Sequence, residues 1–169
     1  MQKNSLNIVL FEPEIPENTG NIIRTCESFD FKLHLIRPYG FFLNSKNILR
    51  SCTNHFNENN IFQYDDFNDF CNKNNVNNNI FLFTKKGTRS PDQIKYESIY
   101  KNQNIYLMFG KESSGIANDI LNKFDKQQWI RIPMKQNIVS INLANTVAIA
   151  SYEVIKQLDY LNLLKDYKE

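Results

Sequence analysis

Apolar residues in this chain cluster in short blocks of two kinds. Residues 6–11 (LNIVLF), 32–36 (KLHLI), 80–84 (IFLFT), 105–109 (IYLMF) and 129–132 (WIRI) are β-branched and aromatic runs bounded by Gly, Pro, Asn or charge, a pattern that predicts strands. Several are apolar almost throughout, as strands covered on both faces are. Between them, helical spacing predicts helices over 19–29, 45–50, 65–72, 117–124 and 142–158. The alternation predicts an α/β fold, a mostly parallel sheet flanked by helices.

The last helix carries the strongest pattern. Leu143, Val147, Val154 and Leu158, with Ala144, Ala148 and Ile155, form a wide apolar face that Ala150 and Tyr152 extend further round. Such a helix is either deeply buried or partly covered by a second subunit. Residues 72–79, almost all Asn and Lys, read as a polar connection with no assigned function. No repeat or composition shift divides the chain, so residues 1–169 are expected to form one domain.

Composition narrows the setting. With 169 residues and 41% hydrophobic content, the chain suits a single core. No apolar run approaches the roughly 20 residues that span a bilayer, and the short polar lead at 1–5 does not resemble a signal peptide, so no membrane partner is expected. Cys26, Cys52 and Cys71 are odd in number and widely spaced, which fits a reduced, cytoplasmic protein rather than a disulfide framework. A net charge of +2 is too mild to mark a nucleic-acid binder, so any phosphate-binding surface must come from local clusters. The densest are Lys85, Lys86 and Arg89, then Lys95 and Lys101, with Arg24, Arg37, Lys46 and Arg50 earlier.

Three segments each join a predicted strand end to a helix start, where ligands collect in open α/β sheets. In the first, Glu12 to Asn21, two prolines stiffen the loop, Asn18 or Thr19 is placed to cap the helix, and Arg24 falls one turn after Gly20. The second, Gly110-Lys111-Glu112-Ser113-Ser114-Gly115, lacks both the dinucleotide and the P-loop fingerprints, which disfavours nicotinamide or NTPase chemistry. Its Glu112 would repel a pyrophosphate but could accept from a ribose, an amine or a neighbouring backbone. The third runs from Ile132-Pro133-Met134 to Ser140-Ile141-Asn142, with Ser140 or Asn142 as an N-cap. Together they suggest one composite pocket. Cys26 reads as a buried structural thiol, the Cys52/His55 pair lacks the further ligands a zinc site needs, and His34 is expected to face polar surroundings.

The combination Ile15-Pro16-x-Asn18-Thr19-Gly20-Asn21-Ile22-x-Arg24, Gly110-x-Glu112-x-x-Gly115, and Ile132-Pro133-Met134 with Ser140-x-Asn142-Leu143-x-Asn145 resembles the three motifs of the SPOUT class of RNA methyltransferases. Order and spacing agree from about Leu6 to Leu158, and the opening LFEPEIPENTGNIIR looks most like the minimal tRNA (cytidine/uridine-34)-2′-O-methyltransferases. The resemblance implies a deep C-terminal trefoil knot and metal-free methyl transfer from S-adenosylmethionine to a ribose 2′-hydroxyl in a tRNA anticodon loop, by a homodimer. It implies cofactor contacts at Phe83, Gly110, Ile132 and Ser140. It also assigns the key catalytic role to Arg24, and would have Asn18, Glu112, Ser140 and Asn142 hold it and the knotted loops in place. Ser114 and Ala144 depart from the pattern, standing where a basic residue and a serine are common. The alternatives are the same chemistry on another RNA, such as ribosomal RNA, and a non-catalytic RNA-binding module of the same fold.

Overall fold

The computed structural model describes residues 4–43 and 58–166. Its strands are β1 (Leu6–Phe11), β2 (Phe31–Ile36), β3 (Ile61–Tyr64), β4 (Ile80–Phe83), β5 (Ile105–Phe109) and β6 (Trp129–Ile130). The α-helices among the described residues are α1 (Pro16–Phe29), α2 (Phe67–Lys73), α3 (Tyr96–Tyr100), α4 (Asn118–Leu121) and α5 (Leu143–Gln157). The strands form one sheet in the order β3-β2-β1-β5-β4-β6, with every neighbouring pair parallel.

The two-residue alternation of a strand sends successive side chains to opposite faces, and both faces are covered here. Ile8, Leu10, Leu33, Leu35, Phe81, Phe83, Leu107 and Phe109 pack on one face with Ile22, Ile23 and Cys26 of α1 and Val147, Ala150 and Val154 of α5. Val9, Phe11, Ile36, Ile80, Leu82, Tyr106 and Met108 pack on the other with Phe67 and Phe70 of α2 and Ile120 and Leu121 of α4. Burial on both sides explains why β5 is apolar or aromatic along its whole length and β1 is apolar everywhere but Asn7.

Several elements differ from expectation. β3 has no counterpart in the hydrophobic pattern, because an edge strand covered mainly at Tyr64 needs only one buried residue in four. α3 was likewise not anticipated. α1 starts at Pro16, three residues early, since proline supplies helical φ at a first turn where its missing N–H costs nothing. Asn18 and Thr19 therefore lie inside the helix instead of capping it. The strand expected over 129–132 ends at Ile130, and Arg131 N–H donates to the Arg89 carbonyl at 2.8 Å. The helix expected over 45–50 lies outside the described residues, as do Cys52 and His55.

His34 is buried, and its polar surroundings come from within the fold. One ring nitrogen lies 2.7 Å from Tyr64 Oη and the other 3.0 Å from Asn7 Oδ1. Burial lowers its pKa to about 3, so the ring is neutral. The asparagine-rich connection also has a structural use: Asn79 Nδ2 donates to the carbonyls of Asn75 and Asn104, and Gln128 Nε2 donates to those of Asn77 and Ile80.

Candidate active site

Strands β1, β5, β4 and β6 are consecutive neighbours, so their carboxyl ends deliver the loops that follow them to one edge. These loops enclose a cavity of about 740 Å³, within the usual range for a small-molecule site. Phe83 and Phe109 stack beside it, centroids 4.6 Å apart, and Ile116, Ile130, Ile132 and Leu143 extend an apolar lining. Phe83, Gly110, Ile132 and Ser140 all line this cavity, as do Asn18, Glu112 and Asn142. Ser140 is exposed.

The polar residues are tied in a chain. Glu112 accepts from the backbone N–H groups of Glu14 at 2.8 Å and Ile15 at 3.2 Å, and from Asn18 Nδ2 at 3.1 Å. Asn18 Oδ1 in turn accepts from Asn142 Nδ2 at 2.9 Å. Asn142 Oδ1 caps α5 by accepting from Ala144 N–H at 2.9 Å and Asn145 N–H at 3.3 Å. The N-cap of α1 is Ile15, which has no capping oxygen. Glu112 supplies a carboxylate there from another loop, a favourable charge at a helix N-terminus. Thus Glu112, Asn18 and Asn142 join all three motif loops.

Gly110 is required by the geometry of its own loop. A Cβ there would sit 2.1 Å from both Gly115 C and Ile116 N, so the loop's own returning backbone forbids any side chain. The return is made by paired bonds between Lys111 and Gly115, the latter at φ 74°, a conformation glycine adopts without strain.

Arg24 lies outside this chain of bonds. It lines a second hollow of about 460 Å³ with Asn21, Thr25 and Ser28 of α1 and Asn145 and Ala148 of α5. Asn18 and Asn142 line both spaces, so their mutual hydrogen bond forms part of the wall between them. The bonds of Asn18, Glu112 and Asn142 hold loops and helix ends together and do not reach Arg24. Cys26 is fully buried, and desolvation raises its pKa far above that of a reactive thiol.

Sequence reasoning left Lys85, Lys86, Lys111 and Arg131 unplaced, yet all four line the cavity. Lys86 Nζ reaches Asn118 Oδ1, and Arg131 Nη1 donates to the Lys85 carbonyl at 3.1 Å. Clustering of Lys85 and Lys86 was the available signal. Arg89, the third of that cluster, instead bonds the carbonyls of Gln127 and Gln93. Among the described residues no three His, Cys, Asp or Glu side chains converge as a metal site, and no helix is long and apolar enough to cross a membrane.

A doubly covered parallel sheet with a cavity at its carboxyl edge, walled by asparagine-, serine- and glycine-bearing loops, is the architecture of an α/β protein with a pocket of small-molecule size. The chain belongs to the SpoU rRNA Methylase family, which matches it over residues 5–152. It is 41% identical over 163 residues to a tRNA (cytidine(34)-2′-O)-methyltransferase of Photorhabdus asymbiotica, covering 94% of this chain and 98% of the relative. A tRNA (cytidine(34)-2′-O)-methyltransferase of Escherichia coli K12 is 39% identical over 155 residues, covering 92% and 95%. A solved structure described as giving insights into 2-OH methylation of C/U34 on tRNA superposes with a TM-score of 0.83 at 33% identity, covering 94% of this chain and 99% of that one.

Proposed function

We propose that this protein transfers a methyl group from S-adenosylmethionine to the ribose 2′-hydroxyl of nucleotide 34, in the anticodon loop of a tRNA. The observation that carries the reading is the single cavity in which all three motif loops meet, tied by Glu112, Asn18 and Asn142, in a chain whose relatives bear that activity by name. The reading takes residues 1–169 as one methyltransferase domain, working in the cytoplasm, and includes the knotted C-terminal crossing that the motifs imply.

The residues present fit the cofactor. Phe83, Phe109 and Ile132 offer apolar surface to an adenine, and the backbone of the Gly110 loop lies beside it. Phe83, Gly110, Ile132 and Ser140 would hold it. When bound, S-adenosylmethionine supplies an electrophilic methyl on a sulfonium, chemistry that calls for no metal. The protein's part is to align the ribose oxygen and ease loss of its proton, and alignment alone contributes about 7–11 kcal/mol in good cases. A guanidinium holds its proton too tightly to serve as a base. Arg24 instead stabilises the oxyanion that develops and holds a neighbouring phosphate, while water or a partner group takes the proton.

Arg24 reaches the chemistry across a homodimer. Its hollow shares Phe29 and Ala148 with an apolar depression of about 570 Å³, lined also by Ile132, Pro133, Ile149 and Tyr152. Ile149 is 45% exposed and Tyr152 49%, apolar surface suited to a second copy of the chain. Arg24 of one copy then serves the cavity of the other. The test maps tRNA nucleosides by mass spectrometry with and without the protein, then mixes an Arg24→Ala protein with a Ser140→Trp protein. The expected results are 2′-O-methylation at position 34 and activity regained on mixing, up to about one competent site of the two in each heterodimer. A fully active monomer, or methylation elsewhere, would refute the corresponding part.

A further inference from the structure

The loops after β1 and β5 also meet through side chains that the chemistry above leaves unused. Both carboxylate oxygens of Glu14 are taken by one residue: Ser113 donates its backbone N–H at 2.9 Å and its hydroxyl at 2.8 Å. Glu112, next to Ser113, accepts the N–H of Glu14 in return. Each loop therefore presents a carboxylate to the backbone of the other. An ion pair between Lys111 and Glu12 closes the same junction. Glu12 adopts φ 51°, a left-handed backbone that non-glycine residues keep only where their surroundings hold it.

What this clasp holds matters because Ser113, Ser114 and Gly115 form one wall of the cavity. Residues 110–115 belong to no helix, and the Lys111 and Gly115 pairing closes their return. The bonds to Glu14 anchor the far end of that turn. We infer that Glu14 is a positioning residue that holds the 110–115 loop in its cavity-forming shape and so acts on cofactor affinity through that loop. The inference rests on the methyltransferase reading for its cofactor. The backbone and hydroxyl bonds from Ser113, in that order, hold the Glu14 carboxyl below the usual carboxylate range, with a smaller effect from Lys111. It is an ionised acceptor near neutral pH, and charged acceptors make the stronger hydrogen bonds.

The experiment compares Glu14→Ala, Glu14→Gln and Ser113→Ala with the unaltered chain by amide hydrogen exchange over 112–115, calorimetric S-adenosylmethionine affinity, and kcat at saturating cofactor. Glu14→Ala should speed exchange over 112–115 and weaken the cofactor by about tenfold, with kcat kept within about twofold. Glu14→Gln keeps one acceptor oxygen and should lose only about threefold. Adding Ser113→Ala to Glu14→Ala should weaken binding no further, since both remove one interaction. Unchanged exchange over 112–115 in Glu14→Ala, or a fall in kcat with affinity intact, would overturn the inference. If Glu14→Ala does not fold, Glu14→Gln and Ser113→Ala decide by the same readouts. If the unaltered protein binds no S-adenosylmethionine, the methyltransferase reading fails, and the exchange measurement still decides whether Glu14 holds the loop.

Discussion

The hydrogen bond between Asn18 and Asn142 separates two regions built on opposite terms. On the cavity side the carboxylates are already engaged: Glu112 accepts three hydrogen bonds and Glu14 two. On the other side Arg24 is exposed, and among the described residues its guanidinium makes no hydrogen bond or ion pair. The hydroxyls of Thr25 and Ser28 beside it are turned back to carbonyls of their own helix. Polar groups satisfied before a ligand arrives shape a pocket without reorganising. A cation left uncommitted is available to an anion brought from outside. On the proposed reading, the first region receives the cofactor and the second meets RNA.

That division is most severely tested at Arg24. Arg24→Ala should lower methyl transfer by about a thousandfold, in the range seen when a group that stabilises a developing oxyanion is lost, while S-adenosylmethionine affinity stays within about twofold of the starting value. Arg24→Lys should fall nearly as far, because an ammonium keeps the charge without the planar fork. Initial rates and calorimetry measure the two effects separately. Equal losses in both would mean that the two regions are not independent.

Glu112 tests the other side. Removing its carboxylate leaves the N–H groups of Glu14 and Ile15 and the Asn18 amide without their acceptor, a loss of about 1–3 kcal/mol for hydrogen bonds of this kind. Urea unfolding of Glu112→Ala should show it, accompanied by weaker cofactor binding. Glu112→Gln should recover part. Loss of transfer with stability and cofactor affinity untouched would place Glu112 among the reacting groups instead.

Acid acts on the scaffold rather than on either side of the wall. His34 has its folded pKa lowered to about 3 from 6.5, so the unfolded chain binds more protons between those values. Its contribution is fully present above about pH 6.5 and is lost as pH falls, by about 1.4 kcal/mol per pH unit for this one group. Urea midpoints measured from pH 7 to pH 4.5 should decline accordingly. A flat profile would contradict a neutral, buried His34.

The smallest effect is expected at Lys85, exposed at the cavity rim. Lys85→Ala should weaken tRNA binding modestly and reduce the slope of log affinity against log salt by about one. An unchanged slope would show that RNA phosphates approach only by the Arg24 side.

How far each feature was legible follows from the range of the forces that make it. Strands β1 and β5 and helix α5 stood out because burial on both faces, or over a wide helical face, leaves a long apolar pattern. β3 did not, because an edge strand buries little. His34 alternates with leucines like a surface residue, and only its meeting with Asn7 and Tyr64 shows that it is enclosed.

The sequence by itself determined the α/β pattern and the three loop motifs, which are written in local spacing and in strand ends that a parallel sheet must bring to one edge. The four residues that the family resemblance assigns to the cofactor line one cavity. Only the tertiary structure decided which partners those residues take. Asn142 bonds Asn18 across 124 positions of the chain, and Ser113 bonds Glu14 across 99. Gly110 is obligatory because the backbone of Gly115 and Ile116 folds back onto it. Such choices depend on distances of a few ångströms between segments remote in sequence. No local pattern encodes them, because they exist only once β1 and β5 lie side by side and α5 has closed over α1.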